Sequence, residues 1–494
     1  MMKRFIYLIV VVGAFLFTTP LFAVQTWDGT SSEMWTQGTG TEADPYLIET
    51  PANLAYLSAQ VTAGETYAGV YFQQTEDFDL QSKTWTPIGT STYKFAGIYD
   101  GGNKFISNLT NSIFGSVNNS TIQNITLRGV DYAFNENYPS SFPQKIAFLV
   151  LDAFGDTNIK NCHNSINIQI DAGTVSVGNQ LICYYGGLVA NGNESSLIIE
   201  NCSNIGDINV RLSTQGYYDA CYVRIFGGGI VGYADNSRFL RCFNKGNLDI
   251  YYFHNGSHYC NVDNYQCVSG IAGADTESGN VYEQCFSKGS INGHGAYQYG
   301  IGRGKLQKGC YVIGDFQVNT GKSTNAFGAN EIESCYYIYS SSSSFLSSAS
   351  MPINCLNVYH NISSQSGTYR SEESMKSPAM ISLLNSLDDY FTMDLEGIND
   401  GYPILKWQAG PRFTITGSCD ANRGTVKGGG EYAPGNTVTL TATPKKGCTF
   451  VGWSDGNTDN PRTVTVEGDA NYIAQFTKSA YIIYVNQDGT SYVE

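Results

Sequence analysis

Apolar and polar residues alternate in short runs along most of the chain. Ile166 to Ile170 reads I-N-I-Q-I and Ile205 to Val210 reads I-G-D-I-N-V, with Asn, Gly and Asp between the runs. Period-two alternation sends successive side chains to opposite faces, so these runs predict short half-buried strands joined by tight turns. Helical spacing stands out in two places. After Thr50-Pro51, Leu54, Leu57 and Val61 share one helical face, with Thr as N-cap and Pro at the first helical position. Ser371-Glu372-Glu373, leading into Met380 to Leu384, predicts a second amphipathic helix.

Two phrases recur at a fixed interval. The first carries cysteine: I-K-N-C-H-N at Ile159, I-E-N-C-S-N at Ile199, L-R-C-F-N at Leu240 and E-Q-C-F-S at Glu283. Cys162, Cys202, Cys242 and Cys285 are spaced by 40, 40 and 43 residues, and Cys310 and Cys335 follow in steps of 25. The second phrase carries glycine and begins at Gly186, Gly228, Ser269 and Tyr299. A fixed period with strand texture predicts a parallel β-helix in which each coil takes about 20 residues and equivalent residues stack as inward ladders. The six spaced cysteines then become small apolar rungs, because free Cys packs as a buried hydrophobe. Cys183, Cys221, Cys260 and Cys267 precede the glycine phrase as either a second ladder or a paired set. The two helix candidates are the caps that cover the open ends of such a solenoid.

Composition agrees with strands and restricts partners. Charged residues are 14% of the 494, against about 25% in an average globular protein, while Gly, Tyr and Phe number 54, 35 and 25. Acidic residues outnumber basic ones 43 to 28 for a formal charge of −15, which argues against nucleic acid as a partner. The N-terminus, M-M-K-R followed by an apolar run from Phe5 to Phe17 and then T-T-P-L-F-A, predicts a signal peptide over residues 1–23 with cleavage after Ala23. No later segment is apolar enough for a transmembrane helix, so the mature chain is expected to be secreted or held at a bacterial cell surface.

G-T-G-T-E-A-D-P-Y-L-I-E from Gly38, L-A-Y-L-S-A-Q-V, T-Y-A-G-V-Y-F, D-F-D-L from Asp77, W-T-P-I-G from Trp85, F-A-G-I-Y-D-G-G from Phe95 and I-N-D-G-Y-P-I-L-K-W-Q from Ile398 come in an order that resembles bacterial surface β-helix proteins with GLUG-type repeats. Such repeats occur in adhesins and in the non-catalytic part of IgA-specific metallopeptidases. From Phe413 to Phe476 the texture changes, and G-T-V-K-G-G-G-E-Y-A-P-G-N-T-V-T-L-T-A-T-P followed by G-C-T-F-V-G-W-S-D-G is similar to the divergent internalin B-repeat module. Val438, Leu440 and Ala442 alternate as on a strand with one buried face, Trp453 is expected in the module's core, and Cys419 and Cys448 are a candidate disulfide between two of its strands.

Motifs for chemistry are missing where they would be needed. None of the five histidines forms H-E-x-x-H; His254 and His258 are four apart, but the Asn-Gly between them favours a surface turn over a zinc site. No G-x-S-x-G elbow is present. Asp207, Asp249, Arg211, Arg224 and Arg241 would be the groups of a polysaccharide-cleaving β-helix, yet their spacing is irregular. Adjacent tyrosines give the better lead. In Tyr184-Tyr185, Tyr217-Tyr218, Tyr251-Tyr252 and Tyr336-Tyr337 one member of each pair should face outward, and a row of outward Tyr would suit a sugar or a protein.

The expected architecture is all-β: a right-handed parallel β-helix (solenoid) with helical caps, followed by a small β-rich module. Residues 24–43 are a lead-in, 44–409 the β-helix, 411–477 the module, and 478–494 a tail that opens a sorting or anchoring segment. The expected function is adhesin-like binding of a glycan or an extracellular or host protein by a monomer, without catalytic residues, metal or cofactor. A polysaccharide lyase or hydrolase and a non-binding spacer are the alternatives.

Overall fold

The computed structural model describes residues 24–136, 144–176, 180–215, 222–254, 265–275, 278–293, 296–314, 324–325, 327–338, 372–386, 388–432, 434–478, 483–485, 487–489 and 491–493. The segment read as a signal peptide lies outside them. The chain divides into two compact units, Met1–Ser374 with Ser382–Asp389, and Met375–Ile381 with Tyr390–Glu494. No helix among the described residues is long and apolar enough to cross a membrane.

The first helix forms where the spacing predicts it, over Pro51–Thr62. Thr50 Oγ1 accepts from the backbone N of Asn53, and Asn53 Oδ1 accepts in return from the backbone N of Thr50, so two otherwise orphaned donors are satisfied. Leu54, Leu57 and Val61 are buried to 0% exposure in the core beside it. The second helix candidate is two short helices, Glu372–Met375 and Pro378–Leu384, parted before Pro378, whose ring cannot continue the preceding turn.

Strand is the main element among the described residues of the first unit. One pass of chain shows the plan: Asn158–Asn164, Ile168–Ser176, Gln180–Gly186, Val189–Ser195 and then Ile198–Glu200. The first four belong to four different sheets, and the fifth returns to the first sheet and pairs in parallel beside Asn158–Asn164. The next pass repeats the order, so that Ile168–Ser176 pairs with Ile208–Gln215, Gln180–Gly186 with Tyr222–Gly228, and Val189–Ser195 with Val231–Ala234, all parallel. These parallel sheets fit a β-helix or solenoid. The pass is longer than the expected coil: Asn164 and Asn204, 40 positions apart, are direct neighbours, so each cysteine interval holds one pass and not two.

The cysteine phrase is explained by its backbone. Asn161, Asn201, Arg241, Gln284 and Ser334 each take a left-handed φ between 49° and 53°, and Gly309 takes 60°. Each immediately precedes a rung cysteine, and Asn tolerates this region better than most residues, which accounts for the repeated Asn-Cys. The bend that follows turns the thiol inward. Cys162, Cys202, Cys242, Cys285, Cys310 and Cys335 are all free and buried at 0–1% exposure in one continuous core. Each thiol donates to the carbonyl two residues back, at 3.2 Å for Cys162 and 3.3 Å for Cys202.

A second ladder runs beside the thiols. Asn164 Nδ2 donates to Asn204 Oδ1 at 2.8 Å, and Asn204 Nδ2 to Asn244 Oδ1 at 2.9 Å. The residue after each later cysteine carries a stacked ring: Phe243 lies on Phe286 at 4.8 Å and Phe286 on Tyr311 at 4.7 Å, with ring planes within 6°. The spacing is that of neighbouring strands in a sheet, about 4.8 Å, so the backbone register itself sets the stack.

In the second unit, Phe413–Cys419, Gly430–Tyr432, Cys448–Trp453 and Ala470–Lys478 form a four-stranded sheet, and Gly424–Lys427, Thr437–Pro444 and Arg462–Thr465 a three-stranded one. Their core holds Val438, Leu440, Ala442 and Trp453 as the alternation predicts, with Trp453 1% exposed and its Nε1 donating to Asp459 O at 2.8 Å. The candidate disulfide is not formed. Cys419 pairs with Ala474 on one side of Ala470–Lys478 and Cys448 with Lys478 on the other, so a whole strand separates two free thiols. Beyond the module, Ile483–Val485 and Ser491–Val493 pair as an antiparallel hairpin.

Candidate functional site: an aromatic strip on the outer sheet face

The paired tyrosines obey strand alternation where they are described. Tyr185 and Tyr252 are buried, while Tyr184 is half-buried and Tyr251 is 37% exposed. They do not build a common row, since Tyr184 lies in the six-stranded sheet and Tyr251 in the five-stranded one. Tyr336 is 2% exposed at the end of the buried aromatic stack. Tyr217 and Tyr218 lie outside the described residues, as does the side chain of Tyr337.

Tyr184 nonetheless belongs to a continuous aromatic strip with other partners. In the six-stranded sheet the register aligns Lys145, Tyr184, Phe226, Cys267 and Tyr297 in one column, and Arg224 with Tyr265 in the next outward column. Cys183, Tyr185 and Ile225, the residues between, face the main core, which places the strip on the opposite face. Tyr184 stacks on Phe226 at 5.7 Å and 10°, Phe226 meets Tyr265 at 5.8 Å, and Tyr265 meets Tyr297 at 5.3 Å. The small Cys267 leaves the gap that Tyr265 fills. Tyr233, from the adjoining four-stranded sheet, closes edge-on against Phe226 at 4.5 Å, so the outer faces of two sheets converge here. Cys183 and Cys267 are thus unpaired thiols on opposite faces and form neither a bridge nor one ladder. Cys221 and Cys260 are outside the described residues.

Charges flank the rings. Lys145 Nζ sits 2.6 Å from Asp152 Oδ1 and 5.9 Å from the centre of the Tyr184 ring. Arg224 pairs with Asp275 at 3.3 Å. Arg303 Nη1 reaches the hydroxyls of Tyr299 and Tyr265 at 3.4 Å and 3.5 Å. Burial pushes the Tyr299 phenol up to about 12, and burial with nearby Asp275 and Asp235 does the same to Tyr233. Tyr265 and Tyr184 are also raised, chiefly by burial. These phenols therefore stay neutral at physiological pH and keep their protons for donation.

The groups considered for catalysis are not brought together. Asp207 accepts from the backbone N of Asn247 in a chain of rim hydrogen bonds, Asp249 holds Asn292, and Arg241 binds Glu200 and Asn201. Arg211 is exposed on the five-stranded sheet, and only Arg224 joins the strip. His163 is the histidine whose side chain is described; its Nδ1 lies 2.9 Å from Ser203 Oγ and burial lowers its pKa to about 4. Among the described residues, no group of three or more His, Cys, Asp or Glu is arranged to hold a metal.

Phe226, Tyr233, Tyr265, Tyr297 and Arg303 escape a search for adjacent tyrosines. The glycine phrase carries the signal that finds most of the column: Tyr184, Phe226, Cys267 and Tyr297 stand two residues before Gly186, Gly228, Ser269 and Tyr299.

Residues 414–480 match the family model of the divergent InlB B-repeat domain, as the texture from Phe413 suggests. None of the curated proteins matches the chain. A solved structure from Bacteroides ovatus, described as a "putative immunoglobulin A1 protease", is similar over 76% of this chain and 95% of its own, with 15% identity and a TM-score of 0.42.

Proposed function

We propose that this chain is an exported bacterial surface protein whose first unit is a right-handed parallel β-helix with GLUG-type repeats, and that it acts as an adhesin-like binding protein. Its ligand is a glycan or an extracellular or host protein, bound by a monomer. The observation that supports this reading is the strip Tyr184–Phe226–Tyr265–Tyr297, a run of ring contacts on the outer face of a sheet whose inner face already packs the core. Phe226 is buried at the centre of the strip, and the half-buried rings of Tyr184, Tyr265 and Tyr297 around it are the ones open to a ligand, Tyr being rigid, amphipathic and common at binding hot spots. The rings sit on strands paired in register across successive passes, which keeps the strip rigid, so little ordering entropy opposes binding.

The test is binding of the chain from Val24 onward to an array of host glycans, plant and microbial polysaccharides and extracellular-matrix proteins, with product analysis on every glycan. Saturable binding without product, lost in Tyr184→Ala with Tyr297→Ala, supports the proposal. Cleaved product would replace it with the enzyme reading, and silence on the whole array with the spacer. Mass analysis of the exported protein tests removal of residues 1–23.

A further inference from the structure

Among the described residues three cations border the aromatic strip, and they are not equivalent. Lys145 and Arg224 each have a carboxylate, Asp152 and Asp275. Arg303 has none among the described residues; its side chain there meets two phenol oxygens at long range. A phenol neutral at physiological pH supplies no negative charge, so among the described residues this half-buried guanidinium meets no carboxylate, in a chain whose formal charge is −15. Desolvating a cation without a counter-charge is costly, and an arrangement that retains one is suited to an incoming anion. The neighbouring rings say what else that anion carries. Tyr265, whose hydroxyl Arg303 reaches, lies 5.3 Å from Tyr297, and the two half-buried rings extend the apolar surface over adjacent strands. A flat ring face next to a guanidinium fork matches a pyranose bearing a carboxylate: the sugar's C–H face rests on the phenol, and both carboxylate oxygens meet the fork.

Building on the binding function proposed above, we infer that the strip is a subsite for an acidic saccharide, with Arg303 receiving the sugar carboxylate and Tyr265 and Tyr297 supporting the ring. Uronic and sialic acids share this chemistry. Lys145 and Arg224, already paired, shape the rim and do not discriminate.

The full chain is titrated with polygalacturonate and its carboxyl-reduced counterpart, and with sialyllactose and lactose, by calorimetry at low salt. The acidic member of at least one pair binds at least about tenfold tighter than its neutral partner, and Arg303→Gln removes that preference while Arg303→Lys keeps part of it. Which pair responds identifies the source of the carboxylate. Tyr297→Leu, which keeps apolar bulk but loses the aromatic face, weakens acidic binding without abolishing the preference, and covers the case of an Arg303 variant that does not fold. Lys83→Gln, a cation remote from the strip, leaves both affinities unchanged. Equal affinity within both pairs, or a preference that survives Arg303→Gln in a variant with wild-type melting, overturns the inference. Binding of a neutral glycan or a protein untouched by Arg303→Gln overturns it too but leaves the wider binding function standing, whereas no binding of any probe removes both.

Discussion

Asn204 is held between two copies of itself: its Oδ1 accepts from Asn164 at 2.8 Å and its Nδ2 donates to Asn244 at 2.9 Å and to Gly206 O at 2.7 Å. All three asparagines are 0–2% exposed, so no water replaces a lost partner. Asn204→Leu leaves Asn244 Oδ1 without a donor and Asn164 Nδ2 with one acceptor of two. The expected cost is about 2–4 kcal/mol, read as a lower urea midpoint at unchanged slope. An unchanged midpoint would mean the ladder is ornamental to stability.

The thiol ladder should resist chemistry that reaches other cysteines. Burial pushes the thiols of Cys202, Cys285 and Cys310 well above their ordinary range, so thiolate is scarce there as well as inaccessible, whereas Cys242, lowered by its neighbours' hydrogen bonds, is protected by burial alone. Iodoacetamide at pH 8 followed by peptide mapping is expected to modify half-buried Cys419 and Cys448 while leaving the six rungs intact until denaturant is added. Raised folded pKa values also mean that this stabilisation is full below about 9, the unfolded thiol value, and is lost as pH climbs toward the folded values. A stability profile flat from pH 8 to 11 would contradict it.

His163 predicts the acid limb. Its folded pKa of about 4 lies below the unfolded 6.5, so the neutral imidazole's contribution is complete above 6.5 and declines as pH falls through that window. The loss approaches about 3 kcal/mol by pH 4. His163→Gln, which keeps a polar group opposite Ser203, is expected to flatten stability between pH 6.5 and 4, and an unaltered slope would assign the acid limb to other groups.

Trp453→Ala removes the largest buried side chain of the second unit together with its hydrogen bond to Asp459 O. A loss of about 3–5 kcal/mol is expected, which a domain of this size barely tolerates. Calorimetry should show a transition at lower temperature, with the antiparallel signature of that unit lost first. Persistence of the wild-type trace would show that the core repacks around the hole.

Period and turn chemistry made much of this fold legible. The Asn-Cys phrase marks the left-handed residue and the inward thiol in one dipeptide, and Thr50-Pro51 fixes the first helix to the residue. The length of a pass was not legible, because spacing alone does not say whether 40 residues make one turn of the ladder or two; the pairing of Cys162 with its successor decides it. For the strip, alternation sorts Tyr184 from Tyr185, but which outward residues become neighbours depends on register across strands far apart in sequence. Cys419 and Cys448 failed for a related reason: two strands of a module need not be adjacent ones.

Where the passes differ in length has a consequence of its own. Ile168–Ser176 and Gln180–Gly186 span 9 and 7 residues, whereas the corresponding strands three passes on, Ile291–Gly293 and Tyr297–Tyr299, span 3 each. The strands that follow the cysteine rungs stay aligned, and so do the starts of the first set of outer strands and the ends of the second, so this variation in strand length falls at the facing ends of two particular sheets. The molecule behaves as a loom with a fixed warp and a free selvedge: new sequence can be woven in or trimmed at that margin without unpicking a single rung, and the aromatic strip lies just inside it.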